Sequence, residues 1–253
     1  MQKFTSKLII AVLAGGLLSG MPLASFAQDD KDERKTKQTV AMSQQTYEKL
    51  SEIQVAIEEN REYATAQRLL DALKSDEKLS PYERAQAWNL QAYSYYLQER
   101  YADAIKAYDQ VMAQPELPEA LIQSSLKTKA QLQFTQEDYE GALATVRQLM
   151  ATLEEPAADL FILEGQALFQ LARYDDALAP ISTAINMYKE QGQVPKENWL
   201  LLLRAIYLEN KDYENMIVVI KELLEYYPKD TYLITYAAVV GELGDTKKQL
   251  AIY

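Results

Sequence analysis

Apolar and polar positions in this chain recur as a block every 35–39 residues. Five segments carry the pattern: NREYATA, QERYADA, QEDYEGA, LARYDDA and NKDYENM. Each places a tyrosine three residues before a small or compact apolar residue, and the tyrosines are Tyr63, Tyr101, Tyr139, Tyr174 and Tyr213. A recurrence of this length is typical of stacked helical hairpins rather than of one globular core. The pattern therefore predicts an all-α array of repeats.

Six units follow when the recurrent tyrosine is counted as position 17 of a unit. They start near Tyr47, Ala85, Gln123, Ala158, Glu197 and Asp230. We call the first helix of each unit A and the second B. The A helices are predicted near 43–58, 81–98, 118–134, 157–171, 196–209 and 230–243. The B helices are predicted near 62–74, 101–113, 138–152, 174–189, 212–226 and 246–253.

Local signals support this division into helices. The run Ser80-Pro81-Tyr82-Glu83 offers an N-cap serine, a proline at the first helical position and a glutamate at the third. Small residues at positions 8 and 20 would let helices A and B approach closely. Gln54 and Arg204 depart from this rule at position 8, so we expect looser packing in those units.

The repeat resembles the tetratricopeptide repeat, a helix–turn–helix unit with a fixed set of large and small positions. The second unit matches best, through Trp88, Ala92, Tyr95, Tyr101, Ala104 and Tyr108. The resemblance implies a right-handed α-solenoid of about six hairpins. Such an array offers a surface that holds another protein and brings no chemistry of its own.

Composition narrows the possible functions. The chain has no cysteine and no histidine, which excludes disulfides, ordinary zinc sites and catalysis by serine–histidine or cysteine–histidine pairs. We therefore expect no enzyme activity, no metal and no cofactor. The net charge of −11 repels phosphate backbones, so nucleic acid is not expected as a partner.

The first 27 residues have the form of a secretory signal. Lys3 and Lys7 precede the short apolar run 8–18, and small residues end the segment at Ala27. We expect cleavage there and a soluble periplasmic product; an uncleaved anchor is the alternative. Residues 28–42 are charged and poor in aromatics, which predicts a disordered leader, or else a docking arm. The repeat domain would then span 43–253. Its end at Tyr253, within a predicted B helix, suggests a missing C-terminal part.

A binding groove is the expected functional site. In stacks of this repeat, positions 2, 5, 9 and 12 of the A helices point into the groove. The resulting candidate residues are Asn89, Tyr93, Tyr96, Lys127, Gln131, Phe134, Gln166 and Phe169. Amides can bind a peptide backbone, and aromatic rings give rigid contact area at low entropy cost. The alternative for Tyr93 and Tyr96 is packing against a neighbouring A helix.

Several longer stretches resemble one exported family. They include MSQQTYEKLSEIQ, SPYERAQAWNLQAYSYYLQERYADAIKAYDQVMAQPELPE and YYPKDTYLITYAAVVGELGDTKKQLAIY. The resemblance spans residues 42–253 and is to periplasmic tetratricopeptide proteins encoded beside TonB–ExbB–ExbD genes. It implies an adaptor for energised uptake across the outer membrane, with a TonB-system component as partner, and implies no functional residues. A scaffold for outer-membrane or cell-wall assembly is the alternative, and self-assembly through the end of the array is a further one.

Overall fold

The computed structural model describes residues 42–244, which belong to one compact unit of the chain. Between these residues lie eleven α-helices and no strand. The A helices are α1 (Gln44–Glu58), α3 (Pro81–Leu97), α5 (Glu119–Thr135), α7 (Ala158–Gln170), α9 (Glu197–Glu209) and α11 (Asp230–Glu242). The B helices are α2 (Tyr63–Lys74), α4 (Tyr101–Met112), α6 (Tyr139–Met150), α8 (Tyr174–Glu190) and α10 (Tyr213–Tyr226).

This order confirms an α-solenoid of helical hairpins. Each B helix packs against its own A helix and against the A helix that follows. Five complete hairpins and the A helix of a sixth fall within the described range. The expected signal segment 1–27, the leader up to residue 41 and the B helix near 246–253 lie outside the described residues.

The recurrent tyrosine is the first residue of every B helix from α2 to α10. Two residues before it, the backbone turns left-handed at Arg61, Glu99, Glu137, Ala172 and Lys211, with φ between 52° and 58°. In the second hairpin the amide of Glu99 bonds to the Tyr96 carbonyl at 2.9 Å and the amide of Arg100 to the Tyr95 carbonyl at 2.9 Å. This pair of bonds closes the end of an A helix when the turn residue is left-handed. The conformation favours glycine, yet all five residues carry a Cβ.

Small residues bring the two helices of a hairpin together, as the spacing predicts. Ala104, Ala142 and Ala177, each three residues after the tyrosine, are fully buried. At position 8, a Cβ on Gly165 would lie 2.3 Å from Cγ1 of Ile181 in α8. A Cβ fits that gap only if the Ile181 side chain or one of the helices moves, so packing explains this glycine.

One carboxylate ties the first two A helices together. The predicted capping box forms at the start of α3, where Ser80 is the N-cap and Glu83 the third residue. One oxygen of Glu83 accepts from the amide and hydroxyl of Ser80, at 2.9 and 2.8 Å. The other accepts from the amide and hydroxyl of Ser43, the N-cap of α1, at 2.9 and 2.8 Å. Glu83 therefore caps its own helix and anchors the start of α1.

Polar contacts also join later hairpins. Lys196, the N-cap of α9, pairs with Asp159 in α7 at 2.7 Å. Lys229, the N-cap of α11, pairs with Glu197 in α9 at 2.5 Å. Each pair links a lysine before one A helix to an acid in the first turn of the preceding one, where the helix dipole favours negative charge. The N-terminal ends of neighbouring A helices are thus connected at three places.

Candidate protein-binding groove

Four polar side chains on the A helices lack partners inside the described structure. Asn89, Gln131 and Gln166 are half-buried and Lys127 is exposed. Among residues 42–244, none of their side chains makes a hydrogen bond or an ion pair. Lys127 and Gln131 are four residues apart and so lie on one face of α5. We call these four residues the A-helix face.

Two other glutamines of the same helices are bonded inside the fold, although the buried hydroxyl of Ser125 in α5 has no hydrogen-bond partner among the described residues. Gln91 is completely buried in α3, and its carbonyl accepts from Gln67 at 2.9 Å and from Lys74 at 3.1 Å. Gln133 is buried in α5 and accepts from the Thr145 hydroxyl at 2.7 Å. These two amides are satisfied internally, whereas the side chains of the A-helix face are accessible and have no hydrogen-bond partner among residues 42–244.

Tyr93 contacts the neighbouring hairpin, as its alternative interpretation expects. Its ring packs against the apolar core that α1, α2 and α3 share. Burial raises the pKa of the Tyr93 phenol, and the charge and hydrogen bond of Glu58, at the end of α1, raise it further. The ring remains only half-buried, so one part faces α1 and another part stays accessible.

The three aromatic candidates at position 12 pack inside their own hairpins. Each ring lies against the recurrent tyrosine five residues later. The centroid distances are 5.9 Å for Tyr96–Tyr101, 6.1 Å for Phe134–Tyr139 and 5.4 Å for Phe169–Tyr174. All six rings are half-buried. These pairs stabilise the A–B turn and still present aromatic surface beside it.

Acidic residues stand beside the aromatic pairs, and the repeat frame alone did not assign them to the site. Burial raises the pKa of Tyr139, and the charge of Glu137 raises it further. Burial likewise raises the pKa of Tyr174, and Glu209, from the following hairpin, adds to that shift. In the second hairpin, Glu99 lies between Tyr96 and Tyr101 in the turn. Glu99 and Glu137 each stand two residues before the recurrent tyrosine, and that shared position was the available signal, whereas Glu209 does not share it.

Exposed aliphatic residues occupy groove positions in the last two units. Leu208 occupies position 12 of the fifth unit and is 48% exposed, and Ile234 occupies position 5 of the sixth and is 57% exposed. Both belong to positions that the frame assigns to the groove. Aliphatic side chains therefore replace the aromatic and amide groups toward α11.

Other surfaces offer less for a ligand. An open depression of about 580 Å³ is lined by Arg147, Phe161, Glu164, Arg173 and Asp176 among others. Its charges are already paired, with Arg147 on Glu164 at 2.7 Å and Arg173 on Asp176 at 3.0 Å. Within residues 42–244, no group of three or more acidic side chains is placed to hold a metal ion. In that same range no helix combines the length and apolarity needed to span a bilayer.

The hairpins of this chain match a known repeat family and several solved structures. The tetratricopeptide repeat family model matches residues 56–118 and 127–193. No curated protein matches the chain. Similar solved structures include a tetratricopeptide repeat protein from Parabacteroides merdae ATCC 43184, at 16% identity over 82% of this chain and 77% of that one, with a TM-score of 0.54. The apo form of RapI is similar at 14% identity over 85% of this chain and 65% of that one, with a TM-score of 0.62.

A third similar structure is YrrB, described as a tetratricopeptide protein with an unusual peptide-binding site. It has 12% identity, a TM-score of 0.53, and coverage of 72% of this chain and 87% of that one. At these identities the likeness concerns the fold. The family model matches more than half of the residues, so the chain belongs to the tetratricopeptide repeat family. Proteins of this class serve as protein–protein interaction modules.

Proposed function

We propose that the protein is a non-catalytic periplasmic adaptor that holds a segment of a partner protein against its A-helix face, in association with a TonB–ExbB–ExbD system. The observation that carries the proposal is the set of unpartnered side chains Asn89, Lys127, Gln131 and Gln166 on successive A helices. Three amides and one ammonium can bond to the carbonyl and amide groups of an extended chain.

The aromatic candidates contribute contact area to the same surface. Tyr93, Tyr96, Phe134 and Phe169 are held by packing on one side and remain partly accessible on the other. A ring held in place loses little entropy when a partner covers it. The groove thus combines rigid rings with open hydrogen-bonding groups, which is the usual chemistry of a protein-binding surface.

The cellular setting rests on two features of the sequence. The segment 1–27 has the three-part form of a secretory signal, and residues 42–253 resemble periplasmic proteins encoded beside TonB–ExbB–ExbD genes. These two features together support an exported adaptor beside an energised uptake system.

Site-specific photo-crosslinking in living cells tests the proposal. A crosslinking residue replaces Gln131 on α5, and a matched variant carries it at Gln148, an exposed glutamine on the B helix α6. We expect Gln131 to capture a component of the TonB–ExbB–ExbD system or its receptor, and Gln148 to capture little. Capture from Gln148 alone would place the binding surface on the B helices and contradict the proposal.

Cell fractionation tests the location separately. We expect the protein in the periplasmic fraction, with a mature N-terminus that follows Ala27 by mass spectrometry. A protein retained in the cytoplasm with residues 1–27 intact would rule out the exported adaptor while leaving the binding surface open to test.

A further inference from the structure

Arg204 is the one half-buried cation of the described residues that has no acceptor. It lies in α9 at position 8 of the fifth unit, and burial lowers the pKa of its guanidinium. Among residues 42–244 its side chain makes no hydrogen bond and no ion pair, and it does not lie over an aromatic ring. A guanidinium is always charged and has five N–H donors. Its partial removal from water without an acceptor costs free energy.

The other half-buried cations between residues 42 and 244 all have acceptors. There are four of them. Three pair with carboxylates, and the pairs are Lys74–Asp71 at 3.0 Å, Lys129–Asp109 at 2.6 Å and Lys196–Asp159 at 2.7 Å. The fourth, Arg84, donates to the carbonyl of Asp76 at 3.2 Å. Within the described range, the fold therefore compensates the burial of every such cation except Arg204.

The repeat gives no packing reason for an arginine at this place. Position 8 carries a small residue in four of the other five units, and all four are buried: Ala92, Ala130, Gly165 and Ala237. An arginine that replaces a small buried residue and gains no partner breaks a packing rule without a structural return. Residues of this kind point to a function.

The acidic residue on the same side of α9 is already occupied. Glu197 lies seven residues before Arg204, which places it about two turns away on the same face of the helix. Its carboxylate pairs with Lys229 at 2.5 Å and accepts a hydrogen bond from the hydroxyl of Tyr232 in α11. Glu197 therefore links α9 to α11 and does not neutralise Arg204.

Two accessible leucines flank Arg204 on α9. Leu201 precedes it by three residues and Leu208 follows it by four, so the three side chains share one side of the helix. The leucines occupy groove positions 5 and 12; Leu201 is half-buried and Leu208 is 48% exposed. Ala205, at the groove position between them, presents only a methyl group. A partner that reaches Arg204 would therefore meet aliphatic surface on both sides of the guanidinium.

The charge of the groove favours an acidic partner. At groove positions 2, 5, 9 and 12 of the second to sixth units the one acidic residue is Asp159, which is paired with Lys196 at 2.7 Å. Lys127, at position 5 of the third unit, has no ion pair among the described residues. The groove positions thus carry a free positive charge in a chain whose net charge is −11, and Arg204 adds another beside them. Charges across an interface are arranged to be complementary.

We infer that Arg204 binds the side-chain carboxylate of an aspartate or glutamate in the partner segment, between two aliphatic residues that contact Leu201 and Leu208. The inference rests on the proposed function and specifies the chemistry of the partner. Because the leucines lie on both sides of Arg204, the partner chain continues past its carboxylate, which fits an internal acidic residue rather than a chain end.

The dimensions of an extended chain suit this arrangement. Along the axis of α9, Leu201 and Leu208 lie about 4.5 and 6 Å from Arg204. Alternate residues of an extended chain face the same side and lie about 6.6 Å apart. A segment that runs beside α9 with an acidic residue at its centre, and an aliphatic residue two positions away on each side, therefore meets all three side chains.

Peptide binding to the full chain tests the inference. The probe is a fluorescent peptide that contains Leu-Ser-Glu-Ser-Leu and is capped at both ends, so that glutamate carries its only charge; binding is followed by fluorescence anisotropy. Control peptides carry glutamine or lysine at the centre, or serine in place of both leucines. We expect the glutamate peptide to bind about tenfold more tightly than each control. Equal binding of the glutamate and glutamine peptides, or binding of neither, would overturn the inference.

An uncapped peptide distinguishes the source of the carboxylate. This peptide has glutamine at the centre and ends in a leucine with a free carboxylate. We expect it to bind as weakly as the capped glutamine peptide. Binding as tight as that of the glutamate peptide would place a chain end at Arg204 and contradict the internal acidic residue.

Two single variants separate local recognition from net charge. Arg204→Gln should weaken binding of the glutamate peptide by about tenfold and abolish its advantage over the glutamine peptide. Lys221→Gln removes the same charge from an exposed position on α10, the B helix of the same hairpin, and should change binding less than about twofold. Arg204→Lys should keep part of the advantage, because it retains the charge without the planar fork. Equal loss in Arg204→Gln and Lys221→Gln would overturn the inference.

Stability provides a second readout. Arg204→Gln should unfold at the same urea concentration as the natural chain or at a higher one, because it removes a half-buried charge that has no acceptor. Lower stability would make Arg204 structural and contradict the inference. A partner captured from Gln131 that binds the natural chain and Arg204→Gln equally well would refute the inference alone, whereas absence of capture from the A-helix face would refute the proposed function.

Discussion

The Glu83 carboxylate provides a sharp test of how the array is held together. It is only 6% exposed and accepts four hydrogen bonds, two from Ser43 at the start of α1 and two from Ser80 at the start of α3. Burial works to raise the pKa of Glu83, but these four bonds outweigh it and lower the pKa from 4.5 to about 2. Replacement by glutamine keeps the size and removes the charge.

The expected cost follows from the lowered pKa. A tenfold change in an acid dissociation constant corresponds to about 1.4 kcal/mol, so the ionised Glu83 carboxylate contributes about 3 kcal/mol to folding at neutral pH. Because the folded pKa is lowered, this contribution is complete above about pH 4.5 and is lost as the pH falls toward about 2. Glu83→Gln should therefore weaken the protein at pH 7 and flatten its loss of stability in acid.

Hydrogen exchange locates the effect. Repeat arrays open locally, and α1 at one end of the described array depends on Glu83 for its link to α3. We expect amides of α1 to exchange up to roughly a hundredfold faster in Glu83→Gln, with little change in α9. The matched control is Glu119→Gln, an exposed first-turn glutamate of α5 without such bonds. Unchanged exchange in α1, or the same acid sensitivity as the natural chain, would show that Glu83 does not hold α1 in place.

Three further substitutions probe the packing. Gly165→Ala should lower the free energy of unfolding in urea by about 1–3 kcal/mol, because the added Cβ would clash with Ile181. In the double variant with Ile181→Ala, the free energy of unfolding should fall by less than the sum of the two single losses. Ala172→Gly should stabilise the protein by about 0.5–1 kcal/mol, because glycine adopts the left-handed conformation of this turn without strain, and Ala172→Val should destabilise it. A lower melting temperature for the glycine variant would contradict the turn assignment. Tyr96→Ala should cost about 1–3 kcal/mol through its contact with Tyr101, whereas Gln131→Ala should stay within about 0.5 kcal/mol; equal values would mean that the Tyr96 ring supports nothing.

Much of the fold could be predicted because its determinants are local and periodic. In each of the first five units a tyrosine is followed three residues later by a small or compact residue, as Tyr101 is followed by Ala104. The tyrosine marks where each B helix begins, and the residue three positions later is buried. The capping box at Ser80 and Glu83 follows from four adjacent residues. Helix bounds from the pattern agree with the structure to within two residues over the described range.

The contacts between hairpins could not be predicted in the same way. The bond from Ser43 to Glu83 joins residues 40 positions apart, and nothing local indicates it. The same holds for Gln91 and Gln67, where an amide occupies a position that the repeat normally gives to an apolar residue. Left-handed turns at Glu99 and Glu137 were missed because no glycine marks them.

The candidate site was predictable in outline, and its details depend on tertiary structure. The repeat frame identified Asn89, Lys127, Gln131 and Gln166, whose side chains are open in the structure. The frame could not distinguish a ring that is free of intramolecular contacts from one that packs against another ring. In the structure, the Tyr96 ring packs against the Tyr101 ring. That distinction requires the position of the B helix.

A structure of the protein bound to a partner captured by crosslinking would show where the partner segment lies. We predict an extended segment of that partner along the A helices, in contact with Asn89, Lys127, Gln131 and Gln166. A partner that instead covers the B helices α4, α6 and α8, and leaves those four side chains in solvent, would contradict the proposed binding surface.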